Sequence, residues 1–145
     1  MAIYHKANAL WKGNSKNGKG KFRAGKLEGE FDYRSRFEGG EGTNPEELLG
    51  AALASCFSMA LASNLEKAGI EPHLVESEAE VIMDRIQNGW TIVKILLRVR
   101  VAVSGIDYES LRKLAEETKR TCPIGKALMA IPTIELKVEK VQGPS

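Results

Sequence analysis

Hydrophobic and polar residues alternate over two long stretches in the second half of the chain. In 74–84 three glutamates occupy every second position, and in 90–103 Arg98 and Arg100 lie between leucine and valine residues. This period of two is typical of a strand with one buried face and one wet face. The dipeptide Asn88-Gly89 between them favours a tight hairpin turn. We therefore predict that Leu74–Asp84 and Trp90–Val103 form an antiparallel pair of strands.

A clear helix start precedes this strand pair. Asn44 can serve as the N-cap, because its side chain can accept a backbone N–H, and Pro45 suits the first helical position. Glu47 lies three residues after Asn44, as in a capping box. The pattern predicts a long central helix that carries Cys56 and ends near Lys67, before the helix-terminating Gly69.

Shorter elements flank these segments. The N-terminal part resembles a β meander in which Gly, Asn and Ser separate the strands, with candidates Ala2–Trp11, Lys19–Arg23 and Leu27–Tyr33. A polar, glycine-rich loop is predicted at 35–42. Near the C-terminus the predicted elements are a helix at about Tyr108–Thr121 capped by Asp107, a short helix from Cys122-Pro123 to about Met129, and a last strand, Thr133–Val141. The order of elements predicts the α+β class.

Composition narrows the class of protein. A chain of 145 residues suits one domain, 1–145, and can bury a core without a disulfide or a metal. The net charge of +2, from scattered Lys and Arg, argues against a nucleic-acid partner.

No signal-peptide pattern is visible at the N-terminus. The uncharged run 48–65 is nearly long enough to cross a bilayer, but it is rich in Ala and Ser, so we interpret it as a buried helix of a soluble, cytoplasmic protein with no membrane partner.

The two cysteines are the main candidates for chemistry. In a reducing compartment a cysteine pair is more often catalytic or metal-binding than structural. A metal site is disfavoured, since His5 and His73 are isolated and show no ligand spacing with the cysteines. Cys56 lies among small and apolar residues, which also fits a core cysteine that behaves as a small hydrophobe.

The residues around Cys122 predict a more acidic thiol than that of Cys56. Cys122 directly precedes Pro123 at a helix start, where the helix dipole and backbone N–H groups stabilise a thiolate. Lys119 and Arg120 would add positive charge nearby. From local chemistry alone, Cys122 is therefore expected to be the more acidic of the two thiols.

Two motifs resemble the OsmC/Ohr family of osmotically inducible and organic hydroperoxide resistance proteins. The run at 42–61, Gly-Thr-Asn-Pro-Glu-Glu-Leu-Leu-Gly-Ala-Ala-Leu-Ala-Ser-Cys-Phe-Ser-Met-Ala-Leu, is similar to the family's signature helix. Thr-Cys-Pro-Ile at 121–124 is similar to its second cysteine site, and Ser-Arg-Phe-Glu-Gly at 35–39 points to the OsmC branch. The resemblance spans nearly the whole chain and implies a single OsmC-like domain.

The resemblance implies a two-cysteine hydroperoxide reductase without a cofactor or metal. It assigns the attacking thiolate to Cys56 and the resolving thiol to Cys122, which form a disulfide after Cys56 is oxidised to the sulfenic acid. An external dithiol, whose identity stays open, would reduce that disulfide. The family fold implies an intertwined homodimer with two active sites at its interface.

The resemblance also carries Arg36 and Glu46 into the site. A nearby guanidinium favours a thiolate and can hold peroxide oxygens, and a carboxylate can fix the orientation of the guanidinium. Glu46 precedes Cys56 by ten residues, which is about 15 Å along a helix, so it cannot touch Cys56 on its own helix. We expect Glu46 to act through Arg36 in a composite site, with both cysteines supplied by the partner chain.

Phe57, Met59 and Leu128 are the candidates for the lining of a substrate pocket, although each alone fits a plain core residue as well. An apolar pocket would favour organic hydroperoxides over hydrogen peroxide, because burial of the alkyl group is favourable.

Two other functions fit the same sequence features. The chain could form a dimer that binds a small apolar ligand without catalysis, or a redox sensor whose disulfide changes a partner interface. A serine or cysteine hydrolase has less support, because neither His5 nor His73 has a recognisable orienting acid.

Overall fold

The fold is α+β, as the pattern predicts. A computed structural model describes residues 1–87 and 89–143. The helices and strands follow one another as β1 (Ala7–Lys12), β2 (Lys19–Ala24), β3 (Leu27–Phe31), α1 (Tyr33–Phe37), α2 (Pro45–Lys67), β4 (Pro72–Ile86), β5 (Gly89–Val103), α3 (Tyr108–Thr121), α4 (Pro123–Ala127) and β6 (Thr133–Gln142). Internal contacts divide the chain into two compact units, Met1–Leu48 and the residues from Leu49 onward.

The first unit contains the predicted meander, an antiparallel sheet in the order β1-β2-β3. The rings of Trp11 and Phe31 pack on its surface with their centroids 5.7 Å apart. They meet over Gly20, where a side chain would collide with the ring of Phe31. The expected strand Ala2–Trp11 is too long, since β1 begins only at Ala7.

The helix α1 is a feature that the sequence analysis missed. It occupies the end of the predicted strand Leu27–Tyr33 and the start of the predicted loop. Its cause is a capping box: Asp32 Oδ1 accepts from the N–H of Ser35, and Ser35 Oγ accepts from the N–H of Asp32, at 2.8 and 2.9 Å. Lys19 lies 2.9 Å from Asp32 and, with the Ser35 N–H, lowers the pKa of Asp32 to about 2.

The second unit contains a three-stranded sheet in the order β4-β5-β6. β4 and β5 are antiparallel, with Val75 opposite Val101, which confirms the predicted strand pair. Asn88 of the predicted turn lies outside the described residues. β6 pairs in parallel with β5, Leu97 opposite Leu136, because α3 and α4 form the crossover connection that a parallel pair requires.

The core of the second unit lies between this sheet and the helices α2 and α3. α2 presents Leu53, Phe57, Leu61 and Leu65, all fully buried. These residues are spaced by four, so they form one face of the helix. By length and hydropathy α2 could also cross a membrane, a test that the core helix of a soluble protein passes as well. The opposite face is exposed in the single chain: Ala51, Ser55, Met59 and Ser63.

Candidate active site

Arg36 and Glu46 form a bidentate ion pair in the first unit. Arg36 Nε donates to Glu46 Oε1 at 2.8 Å, and Arg36 Nη2 donates to Glu46 Oε2 at 2.7 Å. The Glu46 side chain is only 13% exposed, against 38% for Arg36. The carboxylate raises the pKa of Arg36 above its usual value, so the guanidinium stays charged. Nη1 makes no hydrogen bond among the described residues, so part of the fork can receive another group.

The ion pair is held at both ends by short-range hydrogen bonds. Arg36 lies in α1, which the Asp32–Ser35 capping box fixes. Glu46 lies in the first turn of α2, where Asn44 Oδ1 accepts from the N–H of Glu47 at 2.8 Å, as expected for the N-cap. The other end of the Asn44 amide donates to Ser35 O at 3.0 Å and so ties the two helix starts together. The Glu47 carboxylate accepts from the Thr43 hydroxyl at 2.9 Å.

Both cysteines lie in the second unit as free thiols, and their side chains are within interaction distance of each other. Cys56 is partly buried in α2 and packs against the hydrophobic core. Cys122 is the N-cap of α4 and is only 2% exposed. Its Sγ accepts a hydrogen bond from the N–H of Gly125 at 3.3 Å, and it also interacts with the Cys56 side chain. This arrangement suits thiol–disulfide chemistry between the two residues.

Burial decides the acidity of Cys122. Removal from water raises the pKa of the Cys122 thiol, the Gly125 N–H lowers it by less, and the neighbouring Cys56 raises it further. The reasoning that a helix start makes the Cys122 thiol acidic was therefore wrong: the helix-start N–H is present, but desolvation outweighs its effect on the pKa of Cys122. Lys119 gives little help, because its Nζ donates to Ile134 O at 2.8 Å and pairs with Glu116 at 3.1 Å.

The raised pKa predicts a loss of stability at alkaline pH. In the unfolded chain Cys122 should ionise with a pKa of about 8.5, whereas burial raises the pKa of Cys122 in the folded protein. Between the two pKa values the unfolded chain has released a proton that the folded chain keeps, so rising pH favours unfolding. Urea unfolding of the reduced protein should therefore show that wild type loses more stability than Cys122→Ser between about pH 7 and about pH 10. Equal losses in the two proteins would contradict the effect of burial.

The predicted pocket residues lie in different surroundings. Phe57 is fully buried in the core beside Leu53 and Leu61. Met59 lies on the other side of α2 and is 76% exposed. Leu128, the C-cap of α4, packs partly buried against the core. Phe57 and Met59 therefore do not share a face of α2 within one chain, and the assignment of a lining stays a prediction.

The histidines and the possible metal ligands of the described residues are not grouped into a site. His5 and His73 are both exposed. Within 1–87 and 89–143, no group of three His, Cys, Asp or Glu residues is placed to hold a metal ion.

Comparison with known proteins decides the family. The model of the family described as "OsmC-like protein" matches residues 38–137, which include Glu46 and both cysteines. The chain belongs to the OsmC-like family. The family assignment made from the two motifs is thereby confirmed.

Relatives of this OsmC-like chain carry two kinds of name. "Peroxiredoxin OsmC" of Escherichia coli (strain K12) is 40% identical over 142 residues, which cover 96% of this chain and 99% of the relative. An "Organic hydroperoxide resistance protein" of Xanthomonas axonopodis pv. citri is 33% identical over 90 residues, 61% of each chain. The crystal structure of an organic hydroperoxide resistance protein from Elizabethkingia anophelis superposes with a TM-score of 0.73 at 27% identity, covering 98% of this chain and 99% of that one. The last comparison confirms the predicted fold.

Proposed function

We propose that this OsmC-like chain is a thiol-dependent peroxidase that reduces organic hydroperoxides. The observation that carries the proposal is the side-by-side placement of Cys56 and Cys122, one partly buried in α2 and the other almost fully buried at the start of α4. The names of the relatives from Escherichia coli and Xanthomonas support the same chemistry. The whole of 1–145 acts as a single catalytic domain in this proposal.

The first step is attack of the Cys56 thiolate on the outer peroxide oxygen. The O–O bond breaks, Cys56 becomes a sulfenic acid, and the leaving alkoxide takes a proton to become the alcohol. Cys122 then attacks the sulfenic sulfur as a thiolate and forms the Cys56–Cys122 disulfide. The displaced hydroxide takes a proton and leaves as water. An external dithiol reduces the disulfide and returns both thiols. Cys56 is assigned the first role because it is the more accessible thiol, and a buried Cys122 with a raised pKa suits the second.

In this proposal Arg36 supplies a positive charge beside the reacting thiol, and Glu46 fixes the orientation of the Arg36 side chain. The Arg36 guanidinium would stabilise the thiolate and hold the peroxide oxygens, with Glu46 locking its orientation through the two hydrogen bonds. α2 is continuous from Pro45 to Lys67, so Glu46 precedes Cys56 by about 15 Å of helix. We therefore assign the Arg36–Glu46 pair and the thiol pair of one active site to two different chains of a homodimer.

Two observations on the single chain support a dimer. The exposed face of α2 carries the large apolar Met59 among Ala and Ser residues. Leu10 and Leu27 in the meander are more than half exposed as well. Apolar surface of this kind is stabilised when a second copy covers it. The dimer would also bring Met59 of one chain toward apolar side chains of the other, which suits an alkyl group of the substrate. The site of action proposed is the cytoplasm, where a dithiol reductant is available.

Side-by-side turnover of two peroxides tests the proposal. With a dithiol in excess, wild type should consume cumene hydroperoxide over many turnovers and hydrogen peroxide more slowly, because only the organic substrate gains from burial of its alkyl group. A protein that binds cumyl alcohol but consumes neither peroxide would be a ligand-binding dimer. One oxidation per chain without turnover under excess dithiol would favour a redox sensor.

A further inference from the structure

A polar contact crosses the otherwise apolar space between α2 and α3. Asn64 Nδ2 donates to Thr118 Oγ1 at 2.8 Å, and the Thr118 hydroxyl donates to Leu114 O at 2.7 Å. Thr118 is fully buried and lies on the same face of α3 as Leu111 and Ala115. A buried hydroxyl at this position costs stability unless both its hydrogen bonds are made, and here both are made.

Thr118 is also the backbone anchor of Cys122. The N–H of Cys122 donates to Thr118 O at 2.9 Å, the bond that ends α3. Thr118 therefore holds Cys122 through its carbonyl, while its hydroxyl is held by Asn64 from α2. α2 also carries Cys56. The hydrogen bonds from Asn64 to Thr118 and from Cys122 to Thr118 therefore connect the helix that carries one thiol to the backbone that carries the other.

We propose that the Asn64–Thr118 hydrogen bond is a positioning contact that sets how fast Cys122 closes the disulfide onto Cys56. The proposal deepens the peroxidase function and rests on the assigned roles of the two cysteines. Asn64 follows Cys56 by eight residues, about 12 Å along α2, and Thr118 precedes Cys122 by about 6 Å along α3. Apolar packing also joins the two helices, since Leu61 and Leu111 belong to the same buried cluster. The hydrogen bond adds a directional contact at a distance from the thiol pair, so it limits small rotations and shifts of α3 that apolar packing alone would tolerate.

Disulfide closure can be measured without any peroxide. Glutathione disulfide reacts with the Cys56 thiolate to give a Cys56–glutathione mixed disulfide and one glutathione thiolate. The Cys122 thiolate then attacks the Cys56 sulfur, forms the Cys56–Cys122 disulfide and releases the second glutathione thiolate. Acid quenching followed by intact mass spectrometry counts the two species over time and gives the rate constant of closure.

The variants Thr118→Val and Asn64→Ala should slow closure about tenfold, since a misplacement of the order of 1 Å can cost up to about a hundredfold in such a step. The mixed disulfide should accumulate in both. Thr118→Ser keeps the hydroxyl and should restore closure to within about twofold of wild type. The double variant should be no slower than the slower single variant, because both remove the same bond.

Ser58→Ala is the matched control. It removes another side-chain hydrogen bond of α2, from Ser58 Oγ to Ser77 Oγ at 2.7 Å, which leads to β4 rather than to α3. It should lower the unfolding temperature and leave closure unchanged. Should Thr118→Val fail to fold, Asn64→Ala tests the same bond from its less buried side.

Closure within twofold of wild type in Asn64→Ala, or an equal slowing in Ser58→Ala, would overturn the positioning role. The peroxidase proposal fails by a separate outcome. Wild type that closes its disulfide with glutathione disulfide, is slowed by Asn64→Ala, and still consumes no cumene hydroperoxide would refute the peroxidase and uphold the positioning contact.

Discussion

Cys56→Ser should reduce peroxide consumption to the uncatalysed background, while Cys122→Ser should retain the first turnover. A serine hydroxyl at position 56 is far less acidic than a thiol and does not form a sulfenic acid, so the O–O bond is not attacked. In Cys122→Ser the thiolate of Cys56 still reacts, but no partner thiol protects the sulfenic acid. Excess peroxide should then oxidise Cys56 to the sulfinic acid, and activity should decay during the assay.

Alcohol release and the oxidation state of Cys56 distinguish the two variants. Rapid-quench measurement should give a first burst of about one cumyl alcohol per chain in Cys122→Ser and none in Cys56→Ser. A second cumyl alcohol should follow more slowly in Cys122→Ser, as a second peroxide oxidises the sulfenic acid to the sulfinic acid that mass spectrometry locates on Cys56. Circular dichroism of both variants controls for folding. The opposite pattern, a first turnover in Cys56→Ser and none in Cys122→Ser, would exchange the roles of the two cysteines.

Arg36→Ala should lower kcat/KM for cumene hydroperoxide about 10- to 100-fold, the range expected for loss of a charge-assisted hydrogen bond. Glu46→Gln keeps the shape of the side chain but removes its charge, and should have a smaller effect in the same direction. Arg34→Ala is the matched control. Arg34 lies in the same helix α1, is largely exposed and makes a long contact of 3.9 Å with Glu38. It should leave kcat/KM unchanged.

Mixed dimers test which chain supplies each part of the site. Co-expression of Arg36→Ala with Cys56→Ser, under two affinity tags, yields heterodimers in which one composite site has both its arginine and its thiols intact. If the site is shared between chains, a random mixture should recover about a quarter of wild-type activity, since half the dimers are mixed and half their sites are complete. Purified heterodimers with only about half the residual activity of Arg36→Ala, and no recovery beyond it, would place Arg36 and Cys56 of one site on the same chain.

Elements with strong local signals were predictable from the sequence. The Asn44-Pro45 start located the first residue of α2, and Asp107 located α3, because caps are set by a few neighbouring residues. The alternation of β4 and β5 predicted both their pairing and their buried face. The helix α1 was missed, although Asp32 and Ser35 have the spacing of a capping box. Its five residues make little more than one turn, which is too short for the hydrophobic periodicity of a helix to show.

The pKa of Cys122 could not be predicted from the neighbouring residues alone. The helix start and the Gly125 N–H follow from neighbouring residues, and both favour a thiolate. The larger effect comes from burial against residues distant in the chain, which raises the pKa. The Asn64–Thr118 contact has the same origin, since it joins residues 54 positions apart. The pairing of Arg36 with Glu46 was expected from the family resemblance, and the structure supplies its geometry.

A single-turnover experiment shows whether Cys56 and Cys122 together reduce one peroxide. Reduced wild type is mixed with one equivalent of cumene hydroperoxide in the absence of dithiol, and alcohol, free thiols and intact mass are measured together. We expect one cumyl alcohol per chain, loss of both thiols and a Cys56–Cys122 disulfide located by peptide mapping. Unreacted peroxide with both thiols intact, or alcohol release with Cys122 still free, would contradict the two-cysteine mechanism.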